Sequence, residues 1–140
     1  MKRLVKSYGV LLVILALSAI TAQAASVTIA AGAPGGAAQV VLKSSGSEAV
    51  SALSCTIGYD PAIGAAPSVV IGPAAKAADK KIMAVKSGKG VTGFSIVGMN
   101  NTRIGDGVVA TIEFPNGDSG VKLISVQGST PDGKAVTLTK

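Results

Sequence analysis

The stretch Gly98–Phe114, GMNNTRIGDGVVATIEF, begins as a polar loop and ends as an alternating apolar run. The pair Asp106-Gly107 supplies a residue that tolerates positive φ, as a sharp turn into a strand requires. Beyond the turn, alternate positions are apolar: Val108, Ala110, Ile112 and Phe114. That alternation predicts a strand with one buried face. Because the stretch has no His, no Cys and no evident acid–base pair, we interpret it as a folding element rather than a catalytic one.

The chain on either side of this stretch repeats the same plan of short β-rich runs between turn residues. Nine runs have strand character: Val27–Ala30, Gln39–Lys43, Val50–Tyr59, Pro67–Ile71, Lys81–Lys86, Val91–Val97, Gly107–Phe114, Val121–Gln127 and Ala135–Thr139. The Gly-rich link Ser87–Gly90 indicates a hairpin, and Ala74–Asp79 indicates either one helical turn or a loop. Many short strands separated by turn signals predict an all-β sandwich or barrel.

The third run, Val50–Tyr59, shows the alternation most fully. One face would carry Leu53, Cys55, Ile57 and Tyr59, and the other Ala52, Ser54, Thr56 and Gly58. Cys55 is the single cysteine of the chain, so no disulfide can form within it. A disulfide between two chains is conceivable, but the apolar face favours a buried thiol that packs as a small hydrophobe.

The N-terminus has the pattern of a secretory signal peptide over residues 1–24. Basic residues precede the apolar run Val10–Ile20, and a small-x-small ending leads to Ala24, after which we expect cleavage. A membrane anchor is the alternative, but the run is shorter than the roughly 20 apolar residues that span a bilayer. We therefore expect a single domain over residues 25–140 that is secreted, either extracellular or periplasmic, and leaves the membrane after cleavage.

Charge and composition exclude several classes of function. The chain has 13 basic and 7 acidic residues, and three of the basic ones lie in the signal, which leaves 10 against 7, or +3. That balance does not indicate a nucleic-acid partner. Residues 25–140 contain no His and no Trp, so zinc sites and His-activated nucleophiles are disfavoured. Four of the five aspartates, Asp60, Asp106, Asp118 and Asp132, lie beside Pro or Gly, where Asp usually bonds to the local backbone. We predict no enzyme, no catalytic residue, no metal and no cofactor.

Four stretches, taken in order, resemble the cohesin domain, the dockerin-binding module of bacterial cellulosomes. They are Val50–Pro61, Val69–Ala75, Gly98–Phe114 and Val126–Ala135. The likeness is greatest to cohesin-like modules of bacteria without evident cellulosomes, and it spans nearly the whole of residues 25–140. It implies a nine-stranded jelly-roll sandwich and a dockerin-like protein partner, in the setting of extracellular polysaccharide degradation.

The resemblance also implies a binding face, made by the third, fifth, sixth and eighth strands. By alternation, the outward positions on that face include Ser54, Thr56, Ser95 and Lys122. Family members often carry Asn or Asp at the outward positions of the third strand, where this chain has Ala52, Ser54 and Thr56. Small polar side chains are equally typical of a plain solvated sheet surface.

Several further interpretations stay open. Lys80, Lys81, Lys86 and Lys89 form either a surface for an acidic partner or, as we favour, a solvated hairpin. The loop Asn116–Gly120 has too few carboxylates for calcium and is predicted to be a turn. A carbohydrate-binding module is a second function, with polysaccharide as its partner, but Tyr59, Phe94 and Phe114 are predicted to point inward. A structural subunit assembled by strand addition is a third.

Overall fold

The structure is a computed structural model that describes residues 25–33, 37–44, 49–63, 65–115, 120–136 and 138–140. The predicted signal peptide with its cleavage point at Ala24 lies outside these residues. The strands are β1 (Ser26–Ala33), β2 (Ala37–Lys43), β3 (Ala52–Gly58), β4 (Ser68–Ile71), β5 (Lys81–Gly88), β6 (Val91–Val97), β7 (Gly107–Glu113), β8 (Lys122–Ser129) and β9 (Ala135–Val136). A 3-10 turn, Pro61–Ile63, follows β3, and the helix α1, Pro73–Ala77, follows β4. None of the helices described could cross a membrane, because none is long and apolar enough.

The strands form two antiparallel sheets, which confirms the predicted nine-stranded β-sandwich. One sheet has the order β1-β2-β7-β4, and the other has the order β5-β6-β3-β8-β9. The predicted hairpin is present: Gly88 pairs with Val91, and Gly90 between them has a φ of 75°. The two ends of the domain are also joined, since the Val27 amide donates to the Thr139 carbonyl at 2.9 Å, and the Thr139 amide donates to the Ala25 carbonyl at 3.0 Å.

The core lies between the sheets and is built from alternate residues of the facing strands. On β3, Leu53, Cys55 and Ile57 are all fully buried, as the alternation predicts. Phe94 of β6 and Phe114 after β7 are buried with them. Burial raises the pKa of the Cys55 thiol to about 12, so the thiol is neutral and packs as an apolar group.

A β-bulge in β7 changes the alternation that the sequence predicts. Val40 pairs with Ala110 and Val41 pairs with Val108, so Val109 has no partner in β2. Val109 and Ala110 are both fully buried, whereas Val108 is only half-buried. The prediction that Val108 lies on the buried face is therefore only partly right, because an extra residue shifts which side chains point inward.

The Val109 carbonyl accepts a hydrogen bond from the segment that enters α1. The Gly72 amide donates to it at 2.9 Å. A Cβ at Gly72 would lie 2.4 Å from the Val108 carbonyl oxygen. Gly72 is thus required here by a close approach of two backbone segments.

The loop between β6 and β7 is held at its first end by Lys80, which is buried although it carries a charge. Its Nζ donates to the carbonyl oxygen of Asn100 at 3.0 Å and to Asn100 Oδ1 at 2.8 Å. Burial lowers the pKa of Lys80, and the nearby Asp79 carboxylate partly opposes that shift. The prediction that Lys80 belongs to a solvated basic hairpin is wrong, because its ammonium group holds the loop instead.

The same loop is held at its other end by Asp106. The amide and the hydroxyl of Ser44 donate to Asp106 Oδ1 at 2.8 and 2.6 Å, and Arg103 donates to the Ser44 hydroxyl at 2.9 Å. These Ser44 bonds are the main cause of a lowered pKa for Asp106, with Arg103 and Lys43 adding to it. We expected Asp106 to bond to nearby backbone; its partner is instead 62 residues away in the sequence.

We expect Gly72→Ala to lower the free energy of unfolding by about 1–3 kcal/mol, because the new methyl group must push the β7 backbone away. Gly105→Ala is the matched control, since no atom lies within 4 Å of a Cβ placed there. It should change the stability by less than about 0.5 kcal/mol. Urea denaturation of the two variants checks this, and equal stabilities would contradict the close approach at Gly72.

The lowered pKa of Asp106 predicts a pH-dependent contribution to stability. The carboxylate stabilises the fold above its unfolded pKa of about 3.9, and this stabilisation is lost as the pH falls through the folded value. We expect Asp106→Asn to cost about 1 kcal/mol near neutral pH, a figure kept small by solvent screening. The cost should shrink in urea titrations as the pH falls below the unfolded value of about 3.9 and through the lower folded value. Glu113→Gln, an exposed position on β7, controls for loss of a charge, and a cost for Asp106→Asn that did not vary with pH would refute the assignment.

Candidate partner-binding face

The candidate site is the solvent-facing side of the five-stranded sheet, called here the outer face. Its four long strands lie in the order β5-β6-β3-β8. The pairing places outward residues in rows across these strands. The rows are Met83–Ser95–Ser54–Gln127, then Lys86–Gly93–Thr56–Ser125, then Gly88–Val91–Gly58–Lys122. The outer face is therefore a continuous surface across four strands.

The structure brings the predicted site residues onto this one face. Ser54 and Ser95 are direct neighbours, with their hydroxyl oxygens 3.0 Å apart. Thr56 lies one row further along β3, and Lys122 lies in the next row, at the start of β8. Their part in binding stays a prediction, but their shared surface is a property of the sheet.

The centre of the outer face is low, because its side chains are small. In the first two rows the two middle strands present Ser54, Thr56, Gly93 and Ser95 outward, and in the third row Val91 of β6 is 39% exposed. Larger side chains stand on the flanking strands: Met83 of β5 is 55% exposed and Ile124 of β8 is 41% exposed. The first two rows along β3 and β6 are therefore low, and this part of the outer face is called the trough; Met83 lies on one side of it and Ile124 on the other.

The sequence analysis missed both of these residues, and at Ile124 the cause is a bulge in β8. On β8, Thr56 pairs with Ser125 and Ile57 pairs with Leu123, so Ile124 is the extra residue. It leans over β3, where a Cβ at Gly58 would lie 3.0 Å from Ile124 Cδ1. A plain period-two count cannot locate such an insertion, and no other signal in the sequence marks it.

The bulge on β5 lies at Ala84. Met83 pairs with Ser95 and Lys86 pairs with Gly93, which leaves Ala84 and Val85 opposite one residue. Ala84 has a φ of 53°, a conformation that costs energy for any residue with a Cβ. Past the bulge, Lys86 points to the same side as Thr56.

The charge on the outer face has one sign. The strands of the five-stranded sheet contain no Asp or Glu, whereas Lys81, Lys86 and Lys122 are all exposed on them. Lys89, in the turn between β5 and β6, is exposed as well. Of the four lysines predicted to form a basic cluster, three are therefore at the surface and Lys80 is buried.

Little in the described residues supports catalysis or metal binding. No three His, Cys, Asp or Glu side chains among them are grouped as metal ligands would be. The calcium candidate Asn116–Gly120 lies outside the described residues except for Gly120. Two shallow depressions are present, of about 220 Å³ beside Tyr59 and about 210 Å³ beside Ser54 and Gln127, and no acidic residue lines either.

The aromatic residues do not form a sugar platform. Phe94 and Phe114 are buried, as predicted. Tyr59 is half-buried; its ring is 5.7 Å from that of Phe114, and its hydroxyl donates to the Gly88 carbonyl at 3.3 Å. Stacking on a sugar ring needs an exposed aromatic face, and the described part of the outer face offers none.

The β-sandwich described above was compared with known protein families, curated proteins and solved structures. No protein-family model matches the chain, and no curated protein matches its sequence. Among solved structures, the chain is similar to the sixth cohesin of Acetivibrio cellulolyticus scaffoldin B in complex with a mutant Cel5 dockerin. The two share 17% identity with a TM-score of 0.59, over 83% of this chain and 94% of that one.

Two further structures agree with this match. A type I cohesin–dockerin complex from Clostridium thermocellum gives 15% identity and a TM-score of 0.60, over 83% of this chain and 94% of that one. A non-cellulosomal cohesin from the archaeon Archaeoglobus fulgidus gives 17% identity and a TM-score of 0.56, over 81% and 85%. The chain thus has the cohesin fold, as the resemblance implied.

The strained bulge beside the trough gives a stability prediction. We expect Ala84→Gly to be neutral or to stabilise the protein by up to about 1 kcal/mol, because glycine adopts positive φ without strain. Ala52→Gly in β3 is the control: it should cost about 0.5–1 kcal/mol, as glycine normally does in a strand. Thermal unfolding of both variants measures this. An equal loss of stability in the two would show that Ala84 carries no strain.

Proposed function

We propose that this chain is a secreted, non-catalytic module of cohesin type that binds a dockerin-like protein through its outer face. The proposed setting is an extracellular polysaccharide-degrading assembly. The domain proposed to do this covers residues 25–140, after removal of a signal peptide at Ala24. The basic start and apolar run of residues 1–24 support secretion.

The observation that carries the proposal is the outer face itself. Four strands, β5, β6, β3 and β8, present one continuous surface of small polar side chains with exposed apolar residues at its sides. Ser54 and Ser95 lie at its centre, and Lys122 lies at one end. The resemblance implies that cohesins bind through these same strands. Two of the similar solved structures are described as complexes with dockerins, which supports the same kind of partner here.

The competing functions receive less support from the described residues. A carbohydrate-binding module would need an exposed aromatic platform, and the aromatic side chains are buried or half-buried. Assembly by strand addition would be favoured by an unpaired first strand. Here β1 pairs along β2 and is also bonded to Thr139.

Calorimetric titration of residues 25–140 with calcium-loaded dockerins encoded in the same genome tests the proposal. We expect one dockerin to bind per module, and Ser54→Arg to weaken binding at least about 30-fold, since it places a long side chain in the trough. Ser68→Arg is the matched control, because Ser68 is exposed on β4 of the other sheet; it should change the affinity less than about twofold.

Chelation of calcium should abolish the binding, because dockerins fold around calcium. Failure of all these dockerins to bind, or an equal effect of the two arginine substitutions, would contradict the proposal.

A further inference from the structure

We infer that two copies of this chain associate through the solvent-facing side of the four-stranded sheet, with Lys43 of each copy paired to Glu113 of the other. This surface is called here the back face. It lies on the side of the sandwich away from the outer face, because the two sheets pack against each other through the core. The inference therefore concerns a separate site and does not depend on the binding of a dockerin.

The middle of the back face is made of uncharged side chains. The strand pairing places seven uncharged residues outward, in two rows across the sheet. The rows are Ala30–Gln39–Thr111–Val70 and Thr28–Val41–Val108. Val70 is 44% exposed although it is a large apolar residue. Covering this surface removes apolar area from water and takes no charge out of solvent, so contact with a second protein surface is favourable there.

Charges of opposite sign lie at the two ends of the back face. Lys43 is exposed at the last position of β2, and Glu113 is exposed at the last position of β7. Because β2 and β7 pair antiparallel, these two positions lie at opposite ends of the sheet. The rise of a strand puts them about 20 Å apart, with the two uncharged rows between them. The back face therefore has one basic end and one acidic end.

Neither of these two charges is held in an ion pair within the described part of the domain. Among the described residues, an ion pair is found only in the turn before β9. Glu113 accepts a long hydrogen bond, 3.5 Å, from the Ser68 hydroxyl. The carboxylate that feels the charge of Lys43 is that of Asp106, which already accepts the Ser44 hydroxyl at 2.6 Å. Both side chains can therefore pair with a second copy without breaking an ion pair.

A two-fold axis makes this arrangement of charges complementary to itself. The axis lies between the two back faces and crosses the strands midway between the two rows, so the strands of the second copy run in the opposite direction. Lys43 of each copy then lies over Glu113 of the other, and the row containing Val70 faces the row containing Val41. Each contact of such an interface forms twice, and both copies use the same patch, so the assembly closes as a dimer.

The outer face does not offer the same self-complementarity. Its strands contain Lys81, Lys86 and Lys122 and no acidic residue. Two copies placed outer face to outer face would bring like charges together, which is repulsive. Association through the back faces instead leaves both outer faces open, on opposite sides of the dimer. The dimer thus presents any site on the outer face twice, which makes its binding bivalent.

Sedimentation equilibrium of the protein, expressed from the full chain, measures the association. The back face is roughly 20 Å by 20 Å from the strand spacing and rise, which is smaller than a standard interface. We therefore expect a weak dimer, with a dissociation constant on the order of 100 µM that rises as salt is added. A protein that stays monomeric up to about 1 mM would overturn the inference.

Charge reversals at the two ends test the geometry. Lys43→Glu and Glu113→Lys should each weaken self-association at least about tenfold, because each reversal turns two attractions into two repulsions. An equimolar mixture of the two variants should associate about as strongly as the unchanged protein. In that mixture one copy is acidic at both ends of the back face and the other is basic at both ends, so both pairs form again.

Variants elsewhere supply the controls. Lys81→Glu, exposed on the outer face, should change self-association less than about twofold. Val70→Asp places a charge in the uncharged middle of the back face and should abolish it. Charge reversals that associate like the unchanged protein, a mixture that stays monomeric, or a Val70→Asp variant that still dimerises would each overturn the inference. Ser54→Arg, which tests dockerin binding, should leave the dimer intact, so the two proposals can fail separately.

Discussion

The crossing from one sheet to the other between β6 and β7 is the constraint on which this sandwich depends. Polar contacts fix both ends of that crossing: Lys80 holds Asn100 after β6, and Ser44 holds Asp106 before β7. Between them Ile104 is fully buried, and its amide donates to the Val50 carbonyl at 2.8 Å. Because Val50 lies two residues before β3, the crossing also positions the central strand of the outer face. The polar loop of the opening stretch is thus as structural as the apolar strand that follows it.

Much of the fold follows from local sequence pattern. The alternation in Val50–Tyr59 places Leu53, Cys55 and Ile57 in the core, and the Gly-rich link before Val91 produces the hairpin. Three features depend on contacts between distant residues and could not be predicted in this way. Bulges at Val109 and Ile124 shift the alternation by one residue. Lys80 is buried because Asn100, 20 residues away, satisfies it. Local charge patterning treats every lysine as solvated, and only the fold shows which one is not.

The residues of the candidate site also fall into two groups: those that local sequence pattern predicts and those that it does not. Ser54, Thr56 and Ser95 lie on regular parts of β3 and β6, where period-two counting works, and the sequence placed them on one surface. The exposed apolar residues Met83 and Ile124 lie at or next to bulges, and the sequence analysis did not find them. Period-two counting therefore does not predict the shape of the face, in which small side chains on β3 and β6 lie between the larger Met83 and Ile124 on β5 and β8. This surface shape, more than the polarity of the central side chains, limits the shape of a partner that could bind to the outer face.

The pairing of the two chain ends has a mechanical consequence. Ser26 and Thr139 face each other in a parallel bridge, and two backbone hydrogen bonds join Ala25 and Val27 to Thr139. A pull on the two ends of the domain would draw these parallel segments past each other lengthwise. The two bonds would then share the tension instead of opening in turn like a zipper. In the proposed partner-binding role, this geometry would let the paired ends of the domain resist a force transmitted by a bound partner.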